Sequence, residues 1–281
     1  MPAFEIKARN PHILPGFSLT MGCTLLYVAL FILIPFAALF LKGIGLTWEQ
    51  FVWHAFGPRA VDAYWLTLKS ALIAALINAV FGVWVAWILV RYRFPGKRVM
   101  DALVDLPFAL PAAVGGIVLA AIFAPSGWVG KYAYELGIQT AYSPIGVTLA
   151  MLFVGLPFIV RAVQPVLADI EAEVEEAALT LGAGPVRTFW KIFFPVLTPA
   201  ILTGFSLALA RGIGEYGAVI FISGNIPMYT EVASLIIVIK LDQFEYEAAA
   251  AVALVQLSAA FLILLTINLL QTWGRRYQRK I

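Results

Sequence analysis

Long apolar stretches alternate with short polar ones along this chain, and the apolar stretches are of spanning length. Six runs stand out, at approximately 17–41, 65–90, 103–123, 143–163, 198–222 and 247–271. About 20 helical residues cross a ~30 Å hydrocarbon core, so each run predicts a transmembrane helix. Little chain lies between them, and the expectation is one all-α membrane domain over 1–281 with no separate soluble part. The long charged interruption runs over 166–199. There Leu167, Ile170, Val174, Ala177, Ala178 and Leu181 recur at steps of three and four, which predicts one apolar helix face. Asp169, Glu171, Glu173, Glu175 and Glu176 crowd its first half, where a helix N-terminus favours negative charge. Gly182 and Gly184 stop the helix, because glycine accepts the left-handed conformation of a C-terminal cap. Pro185 opens a second helix at a position where its missing N–H costs nothing. That helix carries Val186, Phe189, Trp190 and Phe193 on one side, Arg187 and Lys191 on the other, and is expected to end at Pro195. Such a helix–turn–helix between two spans is suited to lie against another surface.

Composition supports the membrane class. Hydrophobic residues make up 62% and charged residues 12% of the 281, and that charged share is about half the soluble average. Lys7, Arg9 and His12 precede the first run, as they would in a signal peptide, but no polar cleavage region follows and an uncleaved span is expected. The lone cysteine, Cys23, lies inside that span, so no intramolecular disulfide is available to report a compartment.

Basic residues give the orientation. With the N-terminus cytoplasmic, the inner segments hold Lys7, Arg9, Arg91, Arg93, Lys97, Arg98, Arg161, Arg187, Lys191, Arg275, Arg276, Arg279 and Lys280. The outer segments hold only Lys42, Arg59, Lys69, Lys131 and Lys240. Both termini and the 166–199 loop are then expected in the cytoplasm. The net charge of +3 is a topology signal and implies no nucleic-acid partner. Trp48, Trp53, Tyr64 and Trp65, with Trp128, Tyr132, Tyr134 and Tyr142, flank the two outer loops as headgroup-level anchors in the bilayer. The Gly96-Lys97 and Gly130-Lys131 pairs lack the earlier glycine of a phosphate-cradling loop, so any nucleotide must be bound elsewhere.

Two spans hold the candidate pathway. Pro107 and Pro111 interrupt the third and free backbone carbonyls, which are tolerated at membrane depth only when buried or lining a cavity. Gly115 and Gly116 follow and admit a close neighbour. Pore lining and simple helix packing both fit. In the fifth span Arg211 lies roughly 20 Å beyond Thr198 at 1.5 Å per residue, with Glu215 one turn later. Ionised groups there cost at least ~2.5–3.5 kcal/mol each. An intrahelical Arg211–Glu215 pair relieves part of that cost, and Gly212, Gly214 and Gly217 allow close contact or local unwinding. A paired, structural or gating role fits better than Arg211 attracting a passing anion, since a free carboxylate beside the path would repel it. Beyond the Ser223-Gly224-Asn225-Ile226-Pro227 turn, Glu231 to Lys240 is too short to cross and reads as a helix in the outer interface.

Glu176-Ala177-Ala178, Gly182, Ile192, Phe194 and Pro195 resemble the E-A-A-x3-G-x9-I-x-L-P loop of bacterial ABC importer permeases, with Phe194 where leucine is usual. Leu106 to Gly116, Arg211 to Gly217, Phe221 to Pro227 and Lys240 to Gln243 are similar to the T-type permease subunits of sulfate/thiosulfate importers, and molybdate permeases share the glycine–glutamate element. The resemblance implies a six-helix, MetI-like permease fold. It also implies coupling to an ATPase through Glu176, Ala177, Ala178, Gly182, Ala183, Gly184, Pro185, Ile192 and Pro195, and a pathway or gate at Pro107, Pro111, Gly115, Gly116, Arg211, Gly214, Glu215 and Gly217. The implied partners are a W-type permease, two copies of an ATP-binding subunit holding ATP and Mg, and a periplasmic sulfate/thiosulfate-binding protein. The implied location is the bacterial inner membrane, and the implied mechanism is alternating access with no cofactor, catalytic residue or metal in this chain. His12 and His54 are far apart and belong to no ligand cluster. A molybdate or tungstate permease is the near alternative, and a membrane-embedded enzyme the remote one.

Overall fold

The computed structural model describes residues 17–278; Lys7, Arg9, His12, Arg279, Lys280 and the side chains of Arg275 and Arg276 lie outside that description. Every regular element among the described residues is helical. The first span is α1 (Phe17–Val28) and α2 (Ile34–Ile44), joined through a wide π-turn over Ala29–Leu33. In α3 (Trp48–Phe56) the Thr47 and Gln50 side chains each accept the other residue's backbone N–H, closing the N-terminus. Next come α4 (Pro58–Arg91), α5 (Lys97–Val104), α6 (Leu106–Ala109), α7 (Ala112–Phe123), α8 (Gly130–Glu135) and α9 (Pro144–Ala168). The remaining elements are α10 (Ala172–Thr180), α11 (Pro185–Thr188), α12 (Phe194–Ile213), α13 (Val219–Ile222), α14 (Ala233–Asp242) and α15 (Tyr246–Gln278).

Among the described residues, five helices are long and apolar enough to cross a membrane: Leu19–Ile44, Pro58–Arg91, Pro144–Ala168, Pro185–Ile213 and Tyr246–Leu269. The predicted third span, 103–123, is discontinuous, consisting of the end of α5, then α6 and α7. Proline accounts for the break. Leu110 is extended at φ −83°, ψ 139°, the conformation forced on a residue that precedes proline, and Pro111 follows it.

Helices α4, α9 and α12 pack on one another over most of their lengths and form the core, with Val154, Ile159, Val163, Leu197 and Leu209 buried between them. Buried Asn78 of α4 donates its Nδ2 to the Leu152 carbonyl of α9 at 3.0 Å, a cross-helix bond of the kind that holds spans together where lipid offers no hydrophobic contrast. The first span leans on α15 through α2 and otherwise leaves its apolar surface exposed. The predicted short helix near 231–240 forms as α14. Its start is held to α4 by Arg59, whose Nε and Nη2 reach the buried Glu231 carboxylate at 2.7 and 2.6 Å, and by Thr67, whose Oγ1 accepts the Ala233 N–H.

Two predicted boundaries need correction. Leu167 is fully buried at the end of α9, and the next helix begins only at Ala172, after an extended Glu171. The apolar period runs unbroken across the two helices, so it concealed the bend between them. Pro195 ends nothing, because one helix runs from Pro185 to Ile213. A π-turn over Phe189–Phe193, closed by the Phe194 N–H on the Phe189 carbonyl, sits just ahead of that proline. The wider turn spreads the carbonyls that the ring would otherwise strike. The fifth span therefore lies earlier than the predicted 198–222, and the chain unwinds over Gly214–Ala218 before α13.

Candidate functional site

Two regions collect the residues singled out in the sequence. One is the loop from Asp169 to Phe193. After α10, Gly182 takes φ +76°, its N–H bonds the Leu179 carbonyl, and the Ala183 N–H reaches back to the Ala178 carbonyl. These two bonds make a Schellman cap, which turns the chain sharply and satisfies the helix's last carbonyls. Pro185 then opens the second helix in its first turn, as predicted. Buried Ala178, Thr188 and Phe193 form the inner side of the loop. The outer side presents Leu179, Leu181, Val186 and Trp190, between 57% and 87% exposed. Glu176, Ala177, Gly182, Gly184, Pro185 and Pro195 are exposed as well, whereas Ala183 and Ile192 are half-buried. The loop is thus apolar on both sides, and its own chain covers only one.

The inner side is seated on the last turn of α4. Trp87 packs edge-on against Phe193 and Phe189, with centroids 4.8 and 5.7 Å away. One turn on, Arg91 donates Nη2 to the Ile170 carbonyl at 3.1 Å, faces Glu175 with Nε 3.2 Å from Oε1, and lies 5.3 Å from the centre of the Phe193 ring. Sequence reasoning counted Arg91 only towards orientation. Its position four residues after Trp87, opposite an acid-rich loop, was the available signal.

The second region is the broken span against the unwound end of α12. A Cβ on Gly116 would stand 2.3 Å from the Ala218 carbonyl oxygen, and one on Gly217 would stand 2.7 Å from Ala112 Cβ. Gly115 faces the Phe153 ring, whereas nothing outside its own helix end crowds Gly214, which caps α12. Of the predicted glycines, Gly116 and Gly217 therefore meet at one junction, while Gly115 packs on α9 and Gly214 caps α12. Arg211 Nη1 lies 2.5 Å from Glu215 Oε2. The pair forms as predicted, but Glu215 sits just past the helix end. Its Oε1 accepts the Ala218 N–H at 2.8 Å, so the carboxylate holds the unwound segment as well as the arginine. The Glu215 side chain is 1% exposed and that of Arg211 39%. Pro107 is more remote, in the first turn of α6.

A further clasp, unread in the sequence, fixes the broken span to α9. Arg161 reaches Asp105 through Nε at 2.8 Å and Asp101 through Nη1 at 2.7 Å, and Phe108 packs edge-on against Phe158. The Asp101 carboxyl is held below its ordinary pKa, first by the amide of Gln164 and then by Arg161. Among the described residues, no group of three or more His, Cys, Asp or Glu side chains converges as a metal site.

The family described as the binding-protein-dependent transport system inner membrane component matches residues 78–279. The chain belongs to that family. It is accordingly a multi-pass transport subunit and not an enzyme. Its relatives include the sulfate transport system permease protein CysT of Salmonella typhimurium, 47% identical over 96% of this chain and 98% of the relative. CysT of Escherichia coli is also 47% identical, over 97% and 98%. Among solved structures, a bacterial ABC transporter for the acidic polysaccharide alginate superposes on this permease with TM-score 0.73 at 17% identity, covering 91% of this chain and 94% of that one. An inward-facing MetNI methionine transporter gives 0.57 at 17% identity, over 76% and 95%. The permease therefore has the fold of ABC importer permeases.

Proposed function

We propose that the chain is the T-type permease half of a sulfate importer powered by a separate ATPase. The observation that carries this reading is identity of 47% along almost the whole length of sulfate transport permeases. A W-type permease completes the pore, a periplasmic protein delivers sulfate or thiosulfate, and two ATPase copies supply the bound ATP and Mg. The chain acts as one permease unit in the bacterial inner membrane, with both termini and the 166–199 loop cytoplasmic. Glu176, Gly182 and their neighbours from Ala177 to Pro195 dock the ATPase, and the exposed apolar side of the loop supports this, since it is uncovered. Alternating access moves the junction of Pro111, Gly115 and Gly116 with Gly214, Glu215 and Gly217, the Arg211–Glu215 pair bracing one of its states. Pro107 opens α6 within the same broken span.

Sulfate uptake in cells lacking the chain should fall and return with the gene. A defect confined to molybdate would overturn the substrate. The coupling role fails if uptake survives replacement of Glu176 and Gly182 together.

A further inference from the structure

On the coupling reading above, we infer that Arg91 is the positioning residue that ties the ATPase-docking loop to α4, so that loop motion reaches α4 directly as well as the two core helices, α9 and α12, that the loop joins. The loop already has one mechanical route into the membrane, because the helix that begins at Pro185 continues without interruption to Ile213. That route loads α12, and the bend at 169–171 joins the loop's other end to α9, but neither connection reaches α4. Helices α9 and α12 are both packed along α4, and pulling them without it would shear the core. Arg91 supplies the route into α4. It is the last residue of α4, and its guanidinium meets the loop at three places: the Ile170 carbonyl in the bend before α10, Glu175 in the first turn of α10, and the face of Phe193 in the π-turn.

These contacts span both arms of the helix–turn–helix, on either side of Gly182. The guanidinium side chain is 18% exposed. Its Nε and the facing Glu175 Oε1 are shut off from solvent and make no hydrogen bond, so the 3.2 Å ion pair is what each of these atoms has. A planar guanidinium can hydrogen-bond a carbonyl, face a carboxylate and lie over a ring together; a lysine ammonium, a single point charge, cannot. Trp87 seats only the second arm, through Phe189 and Phe193. Without Arg91, α10 keeps its cap and its docking face but is no longer tied by charge to α4.

The test uses the complete importer (both permeases, the ATPase and the binding protein) in proteoliposomes, with sulfate uptake and ATP hydrolysis measured together. For Arg91→Gln the expected result is an assembled complex that hydrolyses ATP normally while sulfate carried per ATP falls roughly 2- to 30-fold, the span of a coupling residue. Glu175→Gln should shift the ratio in the same direction by less, and it decides the matter if Arg91→Gln does not assemble. Arg91→Glu combined with Glu175→Arg should recover part of the ratio. An unchanged ratio in both single variants overturns the proposal, as does a proportional loss of uptake and hydrolysis, which marks a simple docking defect. Failure of the wild-type permease to associate with any ATPase would instead sink the function proposed above.

Discussion

The loop seated on α4 and the junction where α7 meets the end of α12 both carry the glycines and charges that mark this chain, yet those residues are constrained in opposite ways. At the junction glycine is required by crowding, since at Gly116 and Gly217 a single carbon would collide with a facing segment. In the loop, a Cβ on Gly182 or Gly184 would meet nothing within 4 Å. Gly182 is required by its backbone, at φ +76°, whereas Gly184 at φ −71° is required by neither. The charged pairs follow the same division. Glu215 is sealed inside the chain, while Glu175 stands at the rim of a loop 38% exposed. Residues at the junction answer to packing within this polypeptide. Those on the outer side of the loop are not covered by this polypeptide.

The contrast can be broken most readily at its charged centre. Replacing Arg211 with Met leaves a buried carboxylate unpaired, and the expected loss is about 3–5 kcal/mol in equilibrium unfolding of the purified permease. Adding Glu215→Gln should return much of that loss, and a double variant no better than the single would show that burial of the charge is not the cause. Gly116→Ala is expected to cost about 1–3 kcal/mol by overpacking, read as a lowered melting temperature. Gly182→Ala should cost about 1–2 kcal/mol through its left-handed backbone, and Gly184→Ala should stay within about 0.5 kcal/mol. Should Gly184→Ala destabilise the isolated permease as much as Gly116→Ala, the division between the two regions fails.

Much of this was legible because the deciding signals are local. Spanning helices declare themselves by uninterrupted apolar length, and Gly182 and Pro185 carry their backbone preferences with them, so the turn between α10 and α11 was placed correctly. The i,i+4 spacing of Arg211 and Glu215 survived because the turn after Ile213 keeps the two side chains adjacent even though the helix has ended. What stayed hidden depended on distant partners or on phase. The bend between Leu167 and Ala172 leaves the apolar period intact, and Pro195 is accommodated by a π-turn whose residues look like any amphipathic run. Arg161 and Arg91 each satisfy the orientation rule by residue type alone, while their partners Asp101 and Ile170 lie 60 and 79 residues away in sequence.

The uninterrupted helix from Pro185 to Ile213 also sets a mechanical scale. Its 29 residues make a push-rod about 43 Å long at 1.5 Å per residue. A tilt of about 5° at the Gly184 end would swing the Arg211 end sideways by roughly 4 Å, wider than a water molecule. The π-turn over Phe189–Phe193 lies near the base of that helix, so a variant that converts it to regular α-helix should change how far the tip moves for a given tilt.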